Sequence, residues 1–98
     1  FAIKAYILKN GAKTMILKMP YDIWDIALSP SGKYIAYAGN KDGNWDLFLF
    51  NIEKQLVVQL TKTIGNEWDP SFGHGDDELF FAGVFGINNG IYRLKIAQ

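Results

Sequence analysis

Apolar residues come in short bursts, and several bursts lack the polar gaps of a half-wet strand. Leu47-Phe48-Leu49-Phe50 and Leu79-Phe80-Phe81-Ala82 are apolar at every position. An antiparallel strand with one wet face alternates, so an unbroken run means cover on both faces. The bursts are separated by turn chemistry. Asn10-Gly11 predicts a hairpin turn between Phe1–Leu8 and Thr14–Met19. Pro20 stops that return strand. Ser29-Pro30-Ser31-Gly32 closes Ile23–Leu28, and Asn40–Asn44 separates Lys33–Ala38 from Asp46–Ile52. Glu53-Lys54-Gln55 turns into Leu56–Leu60, and Thr61–Glu67 reads as loop. Trp68–Phe72, Glu78–Ala82 and Gly90–Ile96 complete nine predicted strands, with Val84–Asn89 as a glycine-containing loop. Val57 and Val58 disfavour a helix over Glu53–Lys62. Short strands with a turn about every 8–12 residues mean a sandwich, barrel or propeller.

A repeat decides between these. A shift of 44 residues pairs Trp24-Asp25 with Trp68-Asp69, and Ile35-Ala36-Tyr37-Ala38-Gly39 with Leu79-Phe80-Phe81-Ala82-Gly83. The same shift pairs Asn44 with Asn88, Leu47-Phe48 with Ile91-Tyr92, and Ile52 with Ile96. A period in the low forties with about four strands per unit is that of a propeller blade. Blades pack face to face on both sides, which accounts for the unbroken apolar runs. The fold class is therefore all-β, a β-propeller fragment of about two four-stranded antiparallel blades. With strands labelled a to d from the channel outward, residues 1–20 read as strands c-d of one blade. Residues 21–62 read as a complete blade, and 63–98 as strands a-c of a third.

Composition sharpens this picture. The chain has 98 residues, of which 49% are hydrophobic and 15% aromatic. That much apolar side chain in so small a chain needs cover beyond itself. No cysteine is present, so no disulfide framework or thiolate metal site is available. Ten basic and ten acidic residues cancel, and the lysines are scattered. Without a basic stripe, nucleic acid is not an expected partner. No apolar run approaches the roughly 18 residues of a membrane span.

The turns also resemble a known family. Asp25-Ile26-Ala27-Leu28-Ser29-Pro30-Ser31-Gly32-Lys33-Tyr34-Ile35-Ala36-Tyr37, then Asn40-Lys41-Asp42-Gly43-Asn44-Trp45-Asp46-Leu47-Phe48, then Gln59-Leu60-Thr61, are similar to the PD40 repeat of TolB-like propellers. That pattern runs P-x-W-S-P-D-G-K-x-I-A-F, then S-x-x-D-G-x-x-D-I-Y, then R-L-T. The second unit keeps Asp69-Pro70-Ser71-Phe72 but has His74-Gly75-Asp76 in place of the turn core, and Ser31 stands for the usual Asp. Trp-Asp occurs three times, yet it precedes strands instead of ending the third, which sets the chain apart from the WD40 subfamily. The resemblance implies a non-catalytic scaffold of the periplasm or cell envelope. Propellers of this type also resemble the gating domains of serine peptidases and some lyases.

Candidate chemistry is sparse. Asn40-x-Asp42-x-Asn44-x-Asp46 alternates oxygen ligands as a calcium loop does, but Trp45 and Asn51 stand where such a loop needs Gly and Glu. A turn bonded by its own side chains is the simpler expectation. His74, Asp76, Asp77 and Glu78 read as a solvated turn, and neither Ser29 nor Ser71 has a partnering base. No catalytic, metal or cofactor residues are expected. Trp24, Asp25, Trp68 and Asp69 sit at the start of the two innermost strands, where propeller loops meet partners, with Asn44 and Trp45 beside them. Aromatic anchors beside charges are the composition of interface hot spots. Wedging of the tryptophans between blades is the competing structural reading. The expectation is a segment that binds protein or peptide once the ring is complete. The ring is completed by a longer chain or by copies of this one, three of which give about six blades. An excised or self-assembling fragment without a ligand is the further alternative.

Overall fold

The computed structural model describes residues 5–9, 12–85 and 87–96, with side chains from Leu17 onward except that of Phe85. It is an all-β propeller fragment, and no helix occurs among the described residues. Nine strands follow in order: β1 (Ala5–Lys9), β2 (Ala12–Leu17), β3 (Ile23–Leu28), β4 (Tyr34–Gly39), β5 (Asp46–Asn51), β6 (Leu56–Gln59), β7 (Asn66–Phe72), β8 (Glu78–Phe85) and β9 (Asn88–Lys95). They form sheets of two, four and three strands, each strand paired antiparallel with its chain neighbour. The four-stranded sheet β3-β4-β5-β6 is a whole blade. The β1-β2 and β7-β8-β9 sheets are partial ones. The Asn10-Gly11 turn and residues 1–4 lie outside the described residues.

The central strands β4 and β5 of the whole blade are buried on both faces, as their unbroken apolar runs require. Ile35, Tyr37, Phe48 and Phe50 face one way and meet Ile23 and Leu17. Ala36, Ala38, Leu47 and Leu49 face the other way and meet Leu79, Phe81 and Ile96 of the next sheet. Burial of one such leucine stabilises the fold by about 1.5–3 kcal/mol. Aromatic packing orders the first face: Tyr37 stacks on Phe48 at 5.3 Å between ring centroids, and its hydroxyl lies 2.9 Å from that of Tyr21. Gly39 is forced by this packing, since a Cβ there would fall 2.7 Å from the Tyr21 ring.

Two strand boundaries differ from the sequence expectation. Thr61–Glu67 is not all loop, because β7 begins at Asn66 and pairs Asn66 with Val84 and Glu67 with Gly83. The strand carries Glu67 inward, where its carboxylate finds donors that the apolar pattern does not reveal. Within Val84–Asn89, Val84, Phe85, Asn88 and Asn89 belong to strands as well. β8 and β9 stay paired out to Phe85↔Asn88, which satisfies backbone groups that an open loop would leave to water.

Both innermost strands carry the same irregularity. In β3 the register slips between Trp24 and Ala27, so Asp25 and Ile26 stand opposite Tyr37 alone. In β7 it slips between Trp68 and Ser71, so Asp69 and Pro70 stand opposite Phe81 alone. These are β-bulges. Asp25 and Asp69 take left-handed backbone at φ 54° and 53°. Aspartate tolerates that region better than most side chains because its short polar group can bond locally. Pro70 fits because β7 is an edge strand of its sheet, where a missing N–H is tolerated.

Candidate functional site

The bulges decide what the inner strands display. Consecutive residues of a regular strand point to opposite faces. Here Trp24 and Asp25 line one cavity together, and so do Trp68 and Asp69. Asp22, just before β3, and Trp45, just before β5, complete its wall. The cavity has a volume of about 510 Å³ and opens where the two inner strands run side by side. All three tryptophans of the chain meet in it. Trp45 and Trp68 each lay part of the indole on the core between the blades, whereas Trp24 is 47% exposed.

The carboxylates are close across the blade boundary. The Asp69 backbone N–H donates to Asp25 Oδ2 at 3.3 Å. Partial burial raises the Asp25 carboxyl above its ordinary range, and the neighbouring Asp69 charge pushes the same way against that bond. Trp45 is fixed from both sides of its peptide: its N–H donates to Asn66 Oδ1 at 2.9 Å, and its carbonyl accepts the Glu67 N–H at 2.8 Å.

Of the six residues singled out in the sequence, five line this cavity. Asn44 does not. Its amide donates to the carbonyls of Thr63 and Gly65, both at 2.8 Å, and so ties the β4–β5 turn to the segment before β7. Asp22 was missed, although its position 44 residues before Asn66 marks it as the start of an inner strand.

The remaining polar runs have structural uses. Asn40 binds Asp22, accepting its N–H at 2.9 Å. Asp42 is exposed, and Asp46 is buried, so the alternating oxygens of that run do not converge. Among the described residues no group of three or more acidic, histidine or cysteine side chains could hold a metal ion. Asp76 accepts from the N–H of Ser31 at 3.1 Å and from its hydroxyl, linking the equivalent turns of the two blades. Asp77 pairs with Lys95 at 3.3 Å and Glu78 with Arg93 at 3.5 Å.

Behind the cavity wall lies a buried polar network. Glu67 is fully buried and accepts hydroxyl bonds from Thr61 at 2.7 Å and Thr63 at 2.8 Å. Thr61 in turn accepts the Leu47 N–H at 2.9 Å. Asp46 accepts the Thr63 N–H at 3.3 Å. Burial, together with the adjacent Glu67 carboxyl, pushes Asp46 up to about 6. Among the described residues every buried side-chain nitrogen and oxygen has a hydrogen-bond partner.

No helix among the described residues is long and apolar enough to cross a membrane. No protein-family model matches the chain, and no curated protein matches it in sequence.

Proposed function

We propose that this chain is a non-catalytic propeller segment that binds a protein or peptide at the rim formed by its inner strands. The observation that carries this reading is the convergence of three indoles and three carboxylates on one cavity at the blade boundary. Buried structural tryptophans would not need to share an opening with charged groups. Aromatic rings beside charges in a concave site are what a peptide-binding hot spot presents. The PD40-like turns support the same reading, since TolB-like propellers suggest an envelope scaffold.

A completed ring is part of this proposal. The outer face of the three-stranded sheet leaves Phe80 37% and Ile91 76% exposed. Their counterparts in the whole blade, Ala36 and Leu47, are fully covered. Further blades, from copies of this chain or from a longer one, would cover that face.

The test is a random peptide display selection on the full chain, with light scattering on the same sample. Enriched peptides are expected to bind the wild type and to lose binding to Trp24→Ala, a half-exposed position outside the buried core. Peptides that bind Trp24→Ala equally well would overturn the rim as the site. A monomer at all concentrations would overturn self-assembly.

A further inference from the structure

We infer that the rim cavity selects a cationic group, the guanidinium or ammonium of an arginine or lysine side chain on the bound peptide. This rests on the peptide-binding reading above and names what the site would recognise.

The lining is one-sided in charge. Asp25 and Asp69 contribute two carboxylates at the boundary, Asp22 contributes a third that already accepts the Asn40 amide at 3.3 Å, and no lysine, arginine or histidine is among the lining residues. The other half of the wall is aromatic, from Trp24, Trp45 and Trp68. Indole is the best of the natural rings for holding a cation over its face, and carboxylates add the charge-assisted hydrogen bonds that fix its orientation. A neutral apolar ligand would gain from the indoles but would strip water from the carboxylates without return. An anionic ligand would be repelled. A volume of about 510 Å³ falls within the roughly 300–1,000 Å³ of ligand cavities, enough for a long basic side chain with part of its backbone.

The backbone is set up for this arrangement. The bulges bring two carboxylates to the indole side, at the same repeat position in each blade. Asp69 touches Asp25 through its backbone N–H at 3.3 Å, so the two acids are held near one another across the boundary. A bound cation between them would offset the burial, and the lesser repulsion from Asp69, that raise the Asp25 carboxyl.

Because every tryptophan of the chain lines the cavity, fluorescence excited selectively at tryptophan, apart from the tyrosines, responds to this site. The probes are capped tripeptides: Gly-Arg-Gly, Gly-Lys-Gly, Gly-citrulline-Gly and Gly-Glu-Gly. The arginine and lysine peptides are expected to give saturable changes in the millimolar range, about tenfold tighter than the citrulline peptide. Added salt should weaken them. Asp25→Asn with Asp69→Asn should abolish the preference, and asparagine keeps the left-handed backbone, so circular dichroism should stay unchanged. Equal binding of the citrulline and arginine peptides would overturn cation selection while leaving peptide binding in place. No saturable change with any probe up to about 20 mM would overturn it as well. If the display selection also yields no binders, the rim reading fails with it. A preference for lysine and arginine that survives the double Asn variant would place recognition elsewhere and overturn the assignment to these residues.

Discussion

Where β1-β2 meets the whole blade, Leu17 and Ile23 are buried among Tyr37, Phe48 and Phe50. One repeat later, where that blade meets β7-β8-β9, Thr61 and Glu67 hold the same two places. The positions are equivalent and the chemistry is opposite. At the first interface both places are filled by apolar side chains. The second is joined by a chain of bonds: the Leu47 N–H donates to Thr61, and the hydroxyls of Thr61 and Thr63 both donate to Glu67. A blade boundary can therefore be sealed by apolar contact or by a fully satisfied polar network. The polar seal makes each member depend on the others.

The largest expected effect tests the apolar seal. Ile23→Ala should destabilise the chain by about 2–5 kcal/mol, from lost burial and the cavity left behind. Urea unfolding measures it, and a loss under about 1 kcal/mol would mean that this boundary collapses freely. Thr61→Val is nearly isosteric and addresses the polar seal. It should cost about 1–3 kcal/mol, because the buried Leu47 N–H loses its acceptor and Glu67 loses a donor. No measurable loss would show that a dry boundary serves equally well in both places.

Acid separates the two boundaries next. Asp46 has an ordinary value of 3.8 unfolded and about 6 folded. Below about 4 both states hold the proton, so Asp46 contributes no pH dependence. Between about 4 and 6 the folded chain keeps a proton that the unfolded chain releases. Stability attributable to Asp46 therefore falls as pH rises through that window and is level above it. The difference between wild type and Asp46→Asn in urea midpoint, followed from pH 4 to pH 7, should show this slope. A flat difference would sink it. Ile23→Ala should shift the wild-type curve without changing its shape. The smallest effect is on the uncovered face. Ile91→Ala, at the place of buried Leu47, should change stability of dilute protein by no more than about 0.5 kcal/mol. A larger loss would mean that the face is already covered in solution.

These contrasts explain what the sequence could show. Strand order was legible because each apolar burst is bounded by Gly, Pro, Asn or Ser. The repeat was legible because the inner strands and the two runs after them keep one spacing. Trp24, Asp25, Trp68 and Asp69 stood out because that spacing doubled them. The bulges did not show, since a slip of register leaves the apolar count unchanged. Asp25 and Asp69 were nevertheless a signal: aspartate is a poor strand former, and both stand inside inner strands. Glu67 was lost to an assumed loop. Its alignment with Ile23 marked it as an inward position, but a carboxylate there becomes credible only when Thr61 and Thr63 are seen beside it. The bonds of Asn44 to the Thr63 and Gly65 carbonyls did not show, because a solvated turn and a carbonyl-binding amide look alike in a string of letters.

The clasp from Ser31 to Asp76 has a consequence for geometry. It joins the β3–β4 turn of one blade to the β7–β8 turn of the next. The contact from Asp69 to Asp25 joins the same two blades within their inner strands. With the two bonds of the Trp45 peptide to β7 and the apolar core between the sheets, these ties set one angle along the boundary. In any circle built by repeating this step, that angle determines the number of wedges that fit. Any change that opens this boundary would widen the arc that each wedge subtends.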